Sequence, residues 1–266
     1  MTYSIITVNY NNKNGLEATI KSVLNQTYNG YEYIIIDGGS TDGSLEIIKK
    51  YTSKLTYWVS EPDRGIYHAM NKGIEKATGK YLNFMNSGDC FFDSNVLQNM
   101  QNHLDCDIVE GKVYDLSTNR FSFKSTISPT MMFFYRGGLG HQACFILNRL
   151  LSEEHYDENL CLAADWKFFV KKIILENCSY RFVEIPVVSF EGNGESTKNL
   201  RLYEEERKRT LEHLFPPRIL ADYERFYDKE SPMIDLIPSF NKTSGLQKVI
   251  IALTKFLIKT QRLFKR

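Results

Sequence analysis

Residues 31–36, 55–59 and 80–85 are apolar, β-prone runs, and each leads into a polar loop that carries an aspartate: Asp37, Asp63 and Asp89. Between them the apolar residues change to helical spacing, as at Leu45, Ile47 and Ile48 and across residues 66–77. Near-continuous apolar strands belong to sheets buried on both faces, and strand-helix alternation at this spacing builds βαβ units with right-handed crossovers. The chain therefore predicts a parallel sheet flanked by helices. Its aspartate-bearing loops all fall at the carboxyl edge of the strands, where open α/β sheets bind ligands.

An earlier run, residues 4–8, leads through Asn9-Tyr-Asn-Asn12 into a helix marked by Leu16, Ile20, Val23 and Leu24, with asparagine capping chemistry before it. Beyond residue 89 the order is less regular. Residues 96–104 read as helix, 107–114 as strand, and 143–147 as an apolar run after the glycine-rich loop 137–142. Residues 162–170 open a helix, 180–190 read as a strand with Pro186 at an edge or bulge, and 202–215 form a charged helix ended by Pro216-Pro217. Residues 118–134 are aromatic-rich without a period, and 191–197 read as a mobile loop.

Composition narrows the function. A net charge of +1 over 266 residues gives no basis for binding nucleic acid. Five scattered cysteines without a CxxC pair argue against a disulfide framework or a zinc site and for reduced cytoplasmic thiols. The N-terminus enters a strand without the basic and apolar regions of a signal peptide, and no run approaches the roughly 18 apolar residues of a membrane span.

The loops carry the chemistry. Asp37, followed by Gly38, Gly39 and Ser40, offers an acceptor for a base or ribose beside a backbone that a ligand can approach closely. Read alone, it is equally a strand-to-helix connection capped by Ser40 or Thr41. It matches neither the dinucleotide fingerprint nor the phosphate loop ending in Gly-Lys-Ser/Thr. Asn86-Ser87-Gly88-Asp89 is in isolation an ordinary turn; as a carboxylate at a strand end, Asp89 is also a hard oxygen ligand suited to Mg²⁺ or Mn²⁺.

In order, Ser4-Ile-Ile-Thr-Val-Asn-Tyr10, Ser22-Val-Leu-Asn-Gln-Thr27, the segment 34–44, Glu61-Pro-Asp-Arg-Gly-Ile-Tyr-His-Ala-Met-Asn-Lys-Gly73, Ala77-Thr-Gly79 and the segment 82–89 resemble glycosyltransferase family 2. The likeness covers most of the first 110 residues and, more loosely, residues to about 210. It implies a GT-A fold, a Rossmann-like nucleotide-binding sheet that is mainly parallel and flanked by helices. It points to the branch that builds bacterial surface polysaccharide from nucleotide-activated sugars. Carried over residue by residue, it implies nucleotide and donor contacts at Thr7, Asn9, Tyr10, Asp37, Gly38, Asp63, Arg64, Asn86, Ser87 and Gly88, with Asp37 accepting from uracil. The acidic metal motif of the family is reduced here, since Asn86 and Gly88 stand where carboxylates often are. Asp89 and the diphosphate would then hold the divalent metal, Mg²⁺ or Mn²⁺. The family's base falls on Asp165, which as sequence also reads as a helix cap, and the two roles are compatible. His141, Gln142 and Trp166 fall on the acceptor side. His68 stands where relatives often carry Asp and is given no catalytic role.

Residues 245–266 place Leu246, Ile250, Leu253, Leu257 and Phe264 on one helical side and Lys248, Lys255, Lys259, Arg262 and Arg266 on the other. That is the pattern of a helix lying in an anionic membrane interface, or of one packed on the catalytic domain with a solvated basic face. Together these readings give an inverting, UDP-sugar-dependent transferase acting on a polyprenyl-diphosphate-linked glycan, peripheral at the cytoplasmic membrane face. Its catalytic domain spans 1–215, with a nucleotide-sugar half (1–110) and an acceptor half (111–215). A linker (216–244) and the C-terminal amphipathic helix (245–266) follow. A nucleotidyltransferase or a non-catalytic nucleotide-sugar-binding module is the alternative; the first lacks its basic glycine-rich loop at Asn9-Tyr-Asn-Asn12.

Overall fold

The computed structural model describes residues 1–121, 129–190 and 198–225. One compact unit runs from Met1 to Thr210 and a second from Leu211 to Arg266. The first is built on a sheet of strands β1 (Tyr3–Asn9), β2 (Tyr31–Asp37), β3 (Tyr57–Ser60), β4 (Tyr81–Phe84), β5 (Cys90–Phe91), β6 (Ile108–Asp115), β7 (Arg120–Phe121), β8 (Cys144–Leu147) and β9 (Tyr180–Phe190). Their spatial order is β3-β2-β1-β4-β8-β6-β9-β5, with β7 paired to β6.

The half that the apolar runs foretold is parallel throughout: β2 lies between β1 and β3, and β4 lies on the other side of β1. Every residue of β1 and β4 is buried, as near-continuous apolar strands covered on both faces require. Helices α1 (Lys13–Leu24), α2 (Ser44–Tyr51) and α3 (Ile66–Lys76) make the crossovers. Asn12 caps α1 by accepting from the Gly15 N–H, the role its position suggested.

The other half is mixed. β8 runs antiparallel to both β4 and β6, whereas β9 is parallel to β6 over a long ladder. β6 and β9 therefore also end at the edge where β1, β2 and β4 end. Pro186 lies at a register shift in the β6–β9 ladder, where its missing N–H costs no pairing. This half also holds α4 (Val96–Met100), α5 (Met131–Arg136), α6 (Asn148–Glu153), α7 (Ala164–Phe169) continued by a π-helical turn (Val170–Leu175), and α8 (Leu200–Leu214). The described part of the second unit contains α9 (Pro217–Glu224), begun by Pro217 at its first turn. No helix of the described residues is long and apolar enough to cross a membrane. The loop 191–197, the linker from residue 226 and the helix 245–266 lie outside the described residues.

Candidate active site

At the nucleotide end, Asn9 and Asp37 are the last ladder partners of β1 and β2 and face one another directly. Asp37 is fully buried and accepts four hydrogen bonds: Asn9 Nδ2 (2.7 Å) and Ser40 Oγ (2.6 Å) on Oδ1, and Ser40 N (3.0 Å) and Ser60 Oγ (2.6 Å) on Oδ2. Burial alone would raise its pKa; the bonds from Ser40, Ser60 and Asn9 outweigh that and hold it below the usual value. A carboxylate has about four lone-pair sites, so these donors fill it. Thr7 is likewise buried and donates to the Met85 carbonyl (2.7 Å), tying β1 to the end of β4. The sequence assigned Thr7, Asn9 and Asp37 to the ligand; the structure bonds the Thr7 hydroxyl, Asn9 Nδ2 and the Asp37 carboxylate to one another and to the scaffold, and leaves Asn9 Oδ1 buried without a hydrogen-bond partner.

The exposed surface here belongs to Tyr10, 67% accessible; Asp63 beside it is half-buried and Gly38 is buried. A Cβ at Gly38 would sit 2.4 Å from Asp63 Oδ2 and 3.2 Å from the Tyr10 ring, so a side chain there displaces the Asp63 carboxylate. Asp63 Oδ1 accepts from the Gly65 N–H (2.9 Å) and shapes the turn into α3. Arg64 is exposed and pairs with Glu158 at 2.5 Å. His68 Nδ1 accepts from the Arg64 N–H at 3.0 Å, a first-turn contact consistent with a partner-bonded histidine.

The turn Asn86-Ser87-Gly88-Asp89 closes on the Asp89 N–H to Asn86 carbonyl bond (2.9 Å), with Gly88 at φ +106°, a conformation other residues rarely adopt. Thr19 of α1 anchors it, its hydroxyl donating to the Asp89 carbonyl (2.7 Å) and accepting from the Gly88 N–H (2.9 Å). Burial pushes the Asp89 carboxyl up to about 7, against a lowering hydrogen bond from the Gln142 side chain. In the same turn, Asn86 Oδ1 is buried without a hydrogen-bond partner. No cluster of three or more His, Cys, Asp or Glu able to hold a metal occurs among the described residues. A desolvated carboxylate beside an orphaned amide oxygen nevertheless fits a hard divalent cation that takes its other ligands from phosphate and water.

Asp165 sits in the first turn of α7, one residue into the helix, and does not cap it. Its Oδ1 accepts from the Tyr67 hydroxyl at 2.7 Å, while His141 Nδ1 lies 3.8 Å from Oδ2, beyond hydrogen-bond range. His141 is itself buried, stacked on Phe84 with ring centroids 5.0 Å apart, and bonded through Nε2 to the Tyr156 hydroxyl (2.9 Å). Burial lowers its pKa despite the Asp165 charge, so the ring is neutral at pH 7. His141 and Gln142 are consecutive: His141 Nδ1 lies 3.8 Å from the candidate base, and the Gln142 side chain acts on the candidate metal carboxylate by lowering its pKa. Trp166, assigned to the acceptor side, is only 2% exposed; its indole donates to the Gly137 carbonyl (2.8 Å) and Arg207 stacks over its ring.

Sequence reasoning missed Tyr67, Tyr156, Glu158, Ser60 and Glu206. Tyr67 lay within a quoted motif but carried no separate signal, and the others meet the site only through tertiary contacts.

A sheet of this topology, with aspartates at the ends of β2 and β4 and a carboxylate at a helix start beside them, defines the GT-A class of glycosyltransferase. Residues 4–149 match the sequence model of Glycosyl transferase family 2, and the chain belongs to that family. An uncharacterised glycosyltransferase of Mycobacterium tuberculosis is 32% identical over 201 residues, covering 73% of this chain and 76% of that one. Among solved structures, S. aureus TarS 1-349 in complex with UDP-GlcNAc aligns with a TM-score of 0.62 at 19% identity, over 75% of this chain and 61% of that chain. The mannosyltransferase PcManGT of Pyrobaculum calidifontis, in complex with GDP-Man and Mn²⁺, aligns with a TM-score of 0.65 at 14% identity, over 94% and 79%. The protein is thus a family 2 glycosyltransferase.

Proposed function

We propose that this glycosyltransferase inverts the anomeric centre of a UDP-sugar while passing the sugar to a polyprenyl-diphosphate-linked glycan in bacterial surface polysaccharide synthesis. The observation that supports the reading is Asp165 in the first turn of α7, its Oδ1 held by the Tyr67 hydroxyl at 2.7 Å and its Oδ2 3.8 Å from His141 Nδ1. In a single displacement the acceptor oxygen forms its bond to the anomeric carbon as the bond to the diphosphate oxygen breaks. The diphosphate leaves with that electron pair, and the hydroxyl proton passes to the enzyme's base. Tyr67 occupies Asp165 Oδ1, which leaves Oδ2 to take the proton. A divalent cation held by Asp89, with Asn86 Oδ1 beside it, would neutralise charge gathering on the departing diphosphate. Tyr10 and the half-buried Asp63 supply the surface for the base and ribose, with the buried Gly38 and Asp37 behind it.

The UDP assignment draws on the family resemblance and on the TarS complex; the GDP-Man complex of PcManGT makes guanosine donors the alternative outcome. Membrane association draws on the basic amphipathic pattern of residues 245–266. The direct test is thermal unfolding of the full chain with UDP-GlcNAc, UDP-glucose, UDP-galactose or GDP-mannose, with and without Mn²⁺, because a ligand that binds the native state raises its stability. Protection by one or more UDP-sugars, strengthened by Mn²⁺, is expected. Protection by GDP-mannose alone would reverse the nucleotide assignment, and protection by none would refute donor binding.

A further inference from the structure

Asp165 can act as a base only if the start of α7 is held still, and no side chain caps that start. The cap position is Ala163, which offers no side-chain bond, and residues 161–163 are Cys-Leu-Ala. Their backbone N–H groups are instead taken up from a distance. Glu206 of α8, 1% exposed, accepts from Cys161 N (2.7 Å) on Oε1 and from Leu162 N (2.9 Å) and Ala163 N (3.0 Å) on Oε2. Three successive amides converging on one carboxylate form an anion cradle. A buried carboxylate costs stability unless so satisfied, and its neighbours Glu204 and Glu205 are exposed. The next residue, Arg207, donates to the carbonyls of Phe134 (2.7 Å), Tyr135 (3.1 Å) and Gly137 (3.3 Å) and stacks on Trp166, the neighbour of Asp165. α8 thus grips the base-bearing helix by its backbone ahead of Asp165 and by the ring after it.

We propose that Glu206 is a positioning residue for the transfer reaction, fixing residues 161–163 so that Asp165 stays aimed at the acceptor oxygen; this rests on Asp165 being the base. A positioning role predicts a loss in turnover with donor affinity untouched, because the nucleotide surface at Tyr10 and Asp63 lies on the other half of the sheet. Glutamine at this position can serve two of the three amides through its single oxygen, while its NH₂ group opposes the third. Alanine serves none.

The experiment measures nucleoside diphosphate release, with water as acceptor, from whichever of UDP-GlcNAc, UDP-glucose, UDP-galactose or GDP-mannose protects the full chain from thermal unfolding. Misplacing a reacting group by about 1 Å costs on the order of 100-fold, so Glu206→Ala is expected to lose about 100-fold in kcat and Glu206→Gln about tenfold. Donor KM stays within about twofold and donor protection is retained. A Glu206→Ala kcat within about threefold of wild type, alongside an inactive Asp165→Asn, overturns the proposal alone. An Asp165→Asn variant at wild-type rate instead overturns the reading of the base, and the Glu206 role with it. Should Glu206→Ala not fold, Glu206→Gln and Glu206→Asp are read the same way, with amide hydrogen exchange at residues 161–163. Faster exchange there with unchanged kcat overturns the proposal.

Discussion

Replacing Asp37 with asparagine separates two jobs that its position allows, reading the nucleotide and holding the sheet edge. The amide keeps the shape of the carboxyl group but has one acceptor atom for four donors. If its oxygen faces Asn9 and the Ser40 hydroxyl, its NH₂ group faces the Ser60 hydroxyl, which can turn to accept, and the Ser40 N–H, which cannot. An unsatisfied buried N–H costs about 1–3 kcal/mol, and downgrading charge-assisted bonds to neutral ones adds about 1 kcal/mol, so the variant loses about 2–4 kcal/mol. For a unit of this size each kcal/mol moves Tm by roughly 2–4 °C, which gives a drop of about 5–15 °C at pH 7.5. The sign with pH follows from the depressed pKa of Asp37. Its stabilisation is present above the unfolded value of 3.8 and is lost as pH falls through the lower folded value, so the two proteins converge below about pH 4. Thermal melts followed by circular dichroism, with and without a protecting UDP-sugar, measure both roles. A Tm within about 2 °C of wild type, with donor protection abolished, would refute the saturated-scaffold argument and return Asp37 to the base.

Two other groups give sharp outcomes. Asp89 is raised to about 7, so its buried form favours the proton, and stability falls as pH rises from its unfolded value towards 7. Without metal, Asp89→Asn is therefore expected to unfold above wild type at pH 8, by about 1–2 kcal/mol after allowance for residual hydration, and level with it near pH 4. Mn²⁺ titrated into wild type should protect more at pH 8 than at pH 6, because the proton competes below about 7. Tyr67→Phe removes the 2.7 Å donor to Asp165 and should lower kcat about three- to tenfold with donor KM unchanged, measured by steady-state nucleotide release.

The parallel half of the sheet was legible because its strands are apolar and separated by helices of clear period. In the mixed half β6, β8 and β9 were legible as strand or apolar runs, but β5 and β7, two residues long, were too short for a period to register, and nothing in the sequence marked β8 as antiparallel. The site divides the same way. Position at a strand end marked Asn9 and Asp37, but no sequence pattern tells whether such a side chain faces a ligand or its ladder neighbour, and here the two face each other. His141 and Gln142 were marked as a pair for the acceptor side. In the fold His141 is buried, stacked on Phe84 and bonded to the Tyr156 hydroxyl, with its Nδ1 3.8 Å from the base. Glu206 stands among three consecutive glutamates in a charged helix, and only the folded chain shows which of them is buried.

The central claim is that Asp165 accepts the acceptor proton in a displacement that leaves donor binding to other residues. Nucleoside diphosphate release by Asp165→Asn, measured beside its thermal protection by the same donor, tests it most directly. Removing a general base costs about 10²- to 10⁴-fold. The account predicts release lowered by that factor with donor protection intact; release at the wild-type rate would contradict it.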